Sequence, residues 1–202
     1  IMSGKVFAAD GDIVRFSATA NPLDWSSDDD AGYLPTGLQQ ANANDIAVLA
    51  PYRSNLAAFN ASCFQMWQVD PDPAAMALLD QMEGIGSTWH QAAQPVGDEL
   101  FFLSQPGVRT VGNAAGSRNL SSNDVGSPVD SLVQYALAQA ISAGKLPLAT
   151  YYPSAGQYWL CFAELPAYEI GIVGEFDLGI VGAPYLDSFQ ALGGYPPLTW
   201  RA

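Results

Sequence analysis

The chain has 202 residues, of which 49% are hydrophobic and 13% are charged, with a formal net charge of −13 at pH 7. This apolar content excludes an intrinsically disordered chain, because enough surface can be buried to offset the entropy of ordering. The 7 basic residues are scattered among 20 acidic ones, so sequence-specific nucleic-acid binding is not expected. No apolar run approaches the roughly 18–20 residues that span a bilayer, so no membrane partner is predicted.

The acidity allows two interpretations. A large net charge keeps a protein soluble, and that is its simplest role. Alternatively, an acidic surface repels DNA, which is useful in a channel through which DNA slides. The first residues enter a strand pattern at once and lack the charged and apolar regions of a secretory signal. We therefore expect the sequence to be a segment of a longer protein.

Short β runs between clusters of Gly, Pro, Asn and Asp dominate the chain and predict a mainly β fold. Two runs flank Asp10–Asp12, where an Asp-Gly pair suits the left-handed positions of a hairpin turn. Three more runs follow at Ile46–Tyr52, Leu56–Asn60 and Ser62–Val69. Arg53–Asn55 forms the predicted tight turn between the first two of these.

Residues 70–82 break the β pattern and predict a short helix. Asp72 would be its N-cap and Pro73 would occupy its first helical position. One face of this helix would carry Met76, Leu79 and Met82.

A hairpin and a longer helix come next. Strands at Glu99–Ser104 and Val108–Gly112 flank a Gln-Pro-Gly turn in which the glycine takes a positive φ. Residues 127–145 predict an amphipathic helix, capped by Ser127 and closed by Gly144. Its apolar side would hold Val129, Leu132, Val133, Ala136, Leu137 and Ile141.

The last predicted hairpin joins Thr150–Tyr152 to Gln157–Ala163 through a turn at Pro153–Gly156. Aromatic residues recur in these hairpins at Phe16, Phe59, Phe102 and Trp159. The intervals between them are 43, 43 and 57 residues. Propeller blades recur at roughly 40–50 residues, each a small antiparallel sheet with inward aromatic or aliphatic side chains. The fold class predicted is therefore antiparallel and propeller-like, with one inserted helix.

The sequence predicts no catalytic, cofactor-binding or metal-ligating residue, and no cofactor. His90 is the only histidine and lacks the context of a nucleophile or a second metal ligand. Cys63 and Cys161 are far apart, each in an apolar run, and we interpret them as free, buried thiols. A disulfide between them is the alternative.

Two acidic segments are interpreted as solvated loops. Asp28–Asp30 and the pair Asp70 and Asp72 lack the spacing of a calcium-binding loop. They could form the carboxylate pair of a polysaccharide hydrolase only if the fold brought two carboxylates together across a cleft.

Four pieces of the chain resemble, in order and spacing, the propeller part of tail-nozzle and packaged-DNA stabilisation proteins of short-tailed bacteriophages. They are the strand Val14–Ser17 followed by Asp24, Trp25 and the Asp-rich loop; the hairpin Leu49–Phe59 followed by Trp67–Val69; the tripeptide Gly84–Gly86; and the hairpin Glu99–Val108. The resemblance spans about residues 4–163. It lacks the further blades that a nozzle protein would need.

The C-terminal residues carry a separate resemblance, to the first half of Ig-like repeats in bacterial surface and phage proteins. The matching positions are Gly182, Tyr185, Phe189, Ala191, Gly193, Gly194, Pro197 and Trp200. The predicted organisation is a β-propeller-like domain over residues 1–165, followed by a linker and the truncated start of an Ig-like β-sandwich over residues 166–202. We expect residues 182–202 to pack on the β domain, pair with another chain or remain loosely held.

The nozzle resemblance implies a non-enzymatic virion protein of the tail or head–tail junction, assembled in the cytoplasm of the bacterial host. It implies a homo-oligomeric ring around the DNA channel, with portal or adaptor proteins on one side and tail needle or fibre proteins on the other. The alternative function is a carbohydrate- or receptor-binding adhesin module, favoured by the many aromatic residues. A polysaccharide hydrolase is the third class.

Overall fold

The computed structural model describes residues 1–28, 30–112 and 124–164. These residues form a mainly β structure of successive antiparallel sheets with one α-helix, as the sequence predicts. A compact unit spans Ile1–Ala163, and a second comprises Glu164–Ala202. The Ig-like positions all lie outside the described residues.

The first sheet is an antiparallel meander of three strands. It contains β1 (Phe7–Asp10), β2 (Ile13–Phe16) and β3 (Gly32–Leu34), with β2 in the centre. The turn between β1 and β2 contains Gly11 at a φ of 61°, which confirms the predicted hairpin. The short strand β3 was not predicted. It lies just after the Asp-rich loop.

The second sheet has four strands in chain order: β4 (Val48–Tyr52), β5 (Asn55–Phe59), β6 (Cys63–Gln68) and β7 (Ala77–Glu83). The first three confirm the predicted runs, and the turn before Asn55 places Arg53 at a φ of 55°.

The predicted helix over residues 70–82 is wrong. Asp72 does cap a helical turn, since its carboxylate accepts from the Ala74 N–H at 2.9 Å, but this 3₁₀ turn ends at Ala75. The chain then enters β7, in which every residue except Leu79 pairs with β6. A short isolated helix is marginal in water, whereas the edge of β6 offers a ladder of backbone hydrogen bonds.

The third sheet contains β8 (Ala93–Val96), β9 (Glu99–Ser104) and β10 (Gly107–Thr110), with β9 in the centre. The β9–β10 hairpin confirms the prediction, and β8 was not predicted. The fourth sheet pairs β11 (Lys145–Tyr152) with β12 (Gln157–Glu164).

One α-helix, α1 (Asp130–Ser142), lies within the described residues and confirms the predicted inserted helix. A 3₁₀ turn at Ser127–Val129 precedes it, and Gly144 follows it at a φ of 69°. The predicted apolar side is wrong in part. Leu137 is buried and Val133 is partly buried, whereas the remaining large members of the set lie exposed: Val129, Leu132 and Ile141.

Three hydrophobic clusters join each sheet to the next. The first lies between the first and second sheets and contains Val14, Phe16, Leu34, Ile46, Leu56, Ala58, Trp67 and Val69. The second lies between the second and third sheets and is built around Val48, Ala50, Tyr52, Ala57, Phe59, Phe64, Leu100 and Phe102. The third joins the third sheet, α1 and the fourth sheet through Ala92, Leu103, Val108, Leu137 and Ala149.

The middle sheets are buried on both faces, because successive side chains of a strand point to opposite faces. In β5, Leu56 contributes to the first cluster and Phe59 to the second. In β9, Phe102 contributes to the second cluster and Leu103 to the third. In β5 and β9 the apolar residues therefore form continuous runs along the strand rather than alternating with polar ones.

Candidate functional site

His90 is not part of a catalytic arrangement in the described part of the chain. It lies in an exposed 3₁₀ turn, His90–Ala92, and its side chain makes no hydrogen bond or ion pair there. The imidazole borders a small cavity of about 50 Å³, lined also by Trp89, Leu146 and Pro147. That His90 has a structural role stays a prediction.

The Asp-rich loop is used for structure. The Asp30 carboxylate pairs with the ammonium of Lys5 and accepts from the Thr19 N–H at 2.7 Å and the Thr19 hydroxyl at 2.8 Å. These donors, the Lys5 ammonium first among them, lower the pKa of Asp30 to about 2. Asp28 is exposed, and Asp29 lies outside the described residues.

Asp70 and Asp72 are likewise engaged in a local turn. The Asp70 carboxylate accepts from the Asp72 N–H at 2.9 Å, and Asp72 caps the 3₁₀ turn described above. In the described residues, no three His, Cys, Asp or Glu side chains lie together as a metal site would require. Asp30, Asp70 and Asp72 are thus each engaged in a local ion pair or turn.

Both cysteines are free, as predicted. Cys63 is buried at the start of β6, and burial, together with the nearby Glu83 carboxylate, raises its pKa to about 12. The expectation that both thiols are buried is wrong for Cys161, which is exposed on β12.

Two of the five cations in the described residues, Lys5 and Arg109, are withdrawn from the surface. Lys5 and Arg109 are 0% and 1% exposed, and each is paired with a carboxylate. The exposed side chain of Arg15 on β2 forms an ion pair with Asp10. The described surface therefore offers even less positive charge to a nucleic acid than the sequence suggests.

Two surfaces remain as candidates for binding, and the first is an aromatic pair on the β11–β12 hairpin. Tyr152 and Trp159 are 49% and 51% exposed, with ring centroids 6.1 Å apart. The Trp159 indole N–H donates to the Gln157 side-chain oxygen at 2.9 Å, which fixes the orientation of the ring. Sequence reasoning predicted Trp159 as an inward blade residue, and this is wrong because no described residue covers that face of β12. An exposed, fixed aromatic pair can stack on the C–H face of a sugar ring such as a pyranose.

The second candidate surface is an open groove of about 540 Å³ between α1 and the fourth sheet. We call it the α1 groove. It is lined by Leu132, Tyr135, Ala136, Gln139, Ala140, Ala143, Lys145 and Phe162. The sequence prediction missed it because Leu132 was assigned to the buried side of α1.

Protein-family models give no match to this chain, and no curated protein is significantly similar to it. None of the described helices combines the length and the apolar character that a membrane crossing requires.

Proposed function

We propose that this chain is a non-enzymatic structural protein of a bacteriophage virion, built into the tail or head–tail junction as a nozzle or DNA-stabilisation component. The observation that carries the proposal is serial stacking. Antiparallel meanders follow one another along the chain, and a hydrophobic cluster joins each to the next. Consecutive propeller blades are built in this way.

The pieces that resemble nozzle proteins supply the interior of this stack. Val14 and Phe16 belong to the first cluster, and Phe59 and Phe102 to the second, with their ring centroids 4.8 Å apart. The motif residues are thus the ones on which blade-to-blade packing would depend. In this proposal residues 166–202 begin an Ig-like extension.

The proposed partners are further copies in a ring around the DNA channel, portal or adaptor proteins, and needle or fibre proteins. A rigid acidic component suits this position because it would not retain DNA as the genome passes. The net charge of −13 and the burial of Lys5 and Arg109 support this part of the proposal.

Immunogold microscopy tests the location. Antibodies raised against the purified chain are applied to virions of a phage whose genome encodes it. We expect gold at the single tail vertex, and an antibody to the major capsid protein, as control, should label the whole head. Absence of both gold and peptides of this chain from purified virions would contradict the proposal.

A second candidate function, glycan recognition, is favoured by the exposed Tyr152–Trp159 pair described above. In that function a sugar ring would stack on Trp159, and the Gln157 amide N–H₂, which faces away from the indole bond, would donate to a hydroxyl.

A glycan array with the purified chain tests this second function. Reproducible binding to a defined sugar that is lost in Trp159→Ala would favour it. Tyr33→Ala is the matched control, because Tyr33 is another exposed aromatic residue, 57% exposed on β3. No binding in the wild type, or equal loss in both variants, would exclude stacking at this pair.

A further inference from the structure

In the first, second and third sheets a turn of two residues joins the first strand to the second, and these turns are built alike. In the first and third sheets the turn begins with a glycine in the left-handed region, Gly11 and Gly97, each at a φ of 61°. In the second sheet the same place is taken by Arg53, at a φ of 55°. A residue with a Cβ is strained in this conformation, and strain of this kind is concentrated at functional positions. The turn would therefore form more easily with a glycine than with Arg53.

The side chain of Arg53 is held in one orientation by its neighbours. Its Nε–H donates to the carbonyl of Asp98, in the corresponding turn of the third sheet, at 3.1 Å. Its guanidinium carbon lies 5.0 Å from the centre of the Tyr52 ring, which is itself only 5% exposed. A guanidinium that is already fixed by a hydrogen bond and an aromatic ring loses less conformational freedom when it binds a further group.

The outer end of this guanidinium is free to bind. Lys5, Arg15 and Arg109 each form an ion pair with a carboxylate. Arg53 is exposed and forms no ion pair with the residues that the structure describes, and its two Nη groups make no hydrogen bond to them. Two Nη groups donate in parallel, which matches the two oxygens of one carboxylate.

We propose that Arg53 is a binding residue, and that its two Nη groups take a carboxylate of a partner protein, from an Asp or Glu side chain, in a two-pronged ion pair. The surroundings favour a carboxylate over a phosphate group. Burial and the charge of the nearby Glu99 raise the pKa of Tyr52, so one carboxylate already lies close to the ring that Arg53 covers. On a chain of net charge −13, a ligand with one negative charge is repelled less than a phosphate with nearly two.

NMR spectroscopy of the arginine side chains in the full chain tests the proposal. The probe is a capped Gly-Glu-Gly tripeptide, and a capped Gly-Gln-Gly tripeptide is its uncharged match. We expect the Glu peptide to shift the Nε–H signal of Arg53 until it saturates, and the Gln peptide to bind at least about 10-fold more weakly. Arg15 is the internal control, because it is exposed but already paired with Asp10. Its signal should respond only at concentrations at least about 10-fold higher.

The absence of a saturable shift at Arg53 would overturn the proposal. So would an equal response of the two arginines, because it would show that the fixed orientation of Arg53 brings no advantage. Inorganic phosphate is the third probe, and tighter binding of phosphate than of the Glu peptide would overturn the assignment to a carboxylate.

Two substitutions separate binding from a purely structural role of Arg53. Arg53→Lys keeps the charge but lacks the planar fork, so it should bind the Glu peptide at least about 10-fold more weakly. Arg53→Gly should abolish binding and still melt within about 2 °C of the wild type or above it, because relief of the strained turn offsets the lost hydrogen bond to Asp98. A fall of more than about 4 °C would mean that the turn needs Arg53 to hold the third sheet, and the proposal would fail.

Discussion

Lys5 and Arg109 are buried cations. Each is neutralised by a carboxylate, and substituting that carboxylate should change the stability of the fold. The Lys5 ammonium contacts Asp30 and lies 5.3 Å from the centre of the Phe16 ring. The Arg109 guanidinium forms a two-pronged pair with Asp130 and also donates to the Val108 carbonyl at 2.8 Å. A charge removed from water is tolerated only with such partners.

Asp30→Asn should make stability less dependent on pH in the acid range. The pKa of Asp30 is lowered to about 2 by Lys5 and Thr19, below the value of about 3.9 expected in an unfolded chain. The Asp30 interactions therefore stabilise the fold fully above the unfolded-state pKa, and this contribution is lost as the pH falls through about 2. Urea unfolding of wild type and variant from pH 6 to about 2 measures the difference.

Asp28→Asn is the control for that experiment, because Asp28 is an exposed carboxylate of the same loop. The variant with Asn at position 30 should approach the wild type in stability toward pH 2. A difference between them that stays constant over the whole range would show that Asp30 does not act through its charge.

The two thiols should react at very different rates. Cys161 is exposed, whereas Cys63 is buried with its pKa raised to about 12, so it is held as an inert thiol. An aromatic disulfide reagent at pH 8 should modify one thiol per native chain quickly and the second only after denaturation. Cys161→Ser should abolish the fast reaction and Cys63→Ser should preserve it. Equal rates in both variants would contradict the burial of Cys63.

At the scale of elements, α1 is anchored by a polar pair as much as by its apolar side. Leu137 and Ala140 are its buried apolar residues, and the pair of Arg109 and Asp130 fixes its first turn to β10. Gly107 is required beside this pair, because a Cβ there would lie 2.1 Å from the Asp130 carboxylate. The position of α1 therefore depends on Arg109 of β10, which lies 21 positions before Asp130 in the chain.

Asp130→Asn should lower the free energy of unfolding by about 3 kcal/mol, because it leaves the buried Arg109 guanidinium without a countercharge. Asp10→Asn is the matched control. It removes the partner of Arg15 in an ion pair whose side chains are 49% and 56% exposed, and should cost less than about 1 kcal/mol. Chemical denaturation measures both. Equal costs would mean that the burial of Arg109 does not matter.

A bulge decides which way β7 presents its side chains. The register between β6 and β7 shifts between Met66 and Trp67, so that Leu79 is left without a partner and is 49% exposed. Leu78 consequently packs against the first cluster and Met82 against the second. Leu79 and Met82, which suggested a helix face, thus lie in this bulged strand, and Met76 precedes it.

At the scale of the whole described unit, stability depends on the contacts between sheets. The central strands β5, β6 and β9 of the second and third sheets are buried on both faces, and the interface between the two sheets is centred on Phe59 and Phe102. Alanines at positions 50 and 57 let the sheets approach there. Loss of this interface would expose two sheets at once.

Phe102→Ala should lower the free energy of unfolding by about 3–5 kcal/mol, because the side chain is 0% exposed and its removal leaves a cavity. Tyr33→Ala on the exposed side of β3 is the control and should change stability by less than about 0.5 kcal/mol. Urea unfolding followed by circular dichroism gives both values. A small cost for Phe102→Ala would mean that the two sheets do not depend on this interface.

The sequence by itself determined the local structure of this protein: the mainly β class, the hairpins and the inserted helix. Alternation, turn glycines and caps are local signals, and the hairpins β1–β2, β9–β10 and β11–β12 formed around the predicted turns, although β11 begins at Lys145 rather than at the predicted Thr150. Only the tertiary structure decided between helix and strand at residues 77–83, because that choice depends on the free edge of β6. It also decided that Trp159, Leu132 and Cys161 are exposed. An apolar residue is buried only where another element covers it, and the position of that element is not encoded in the residue's own neighbours along the chain.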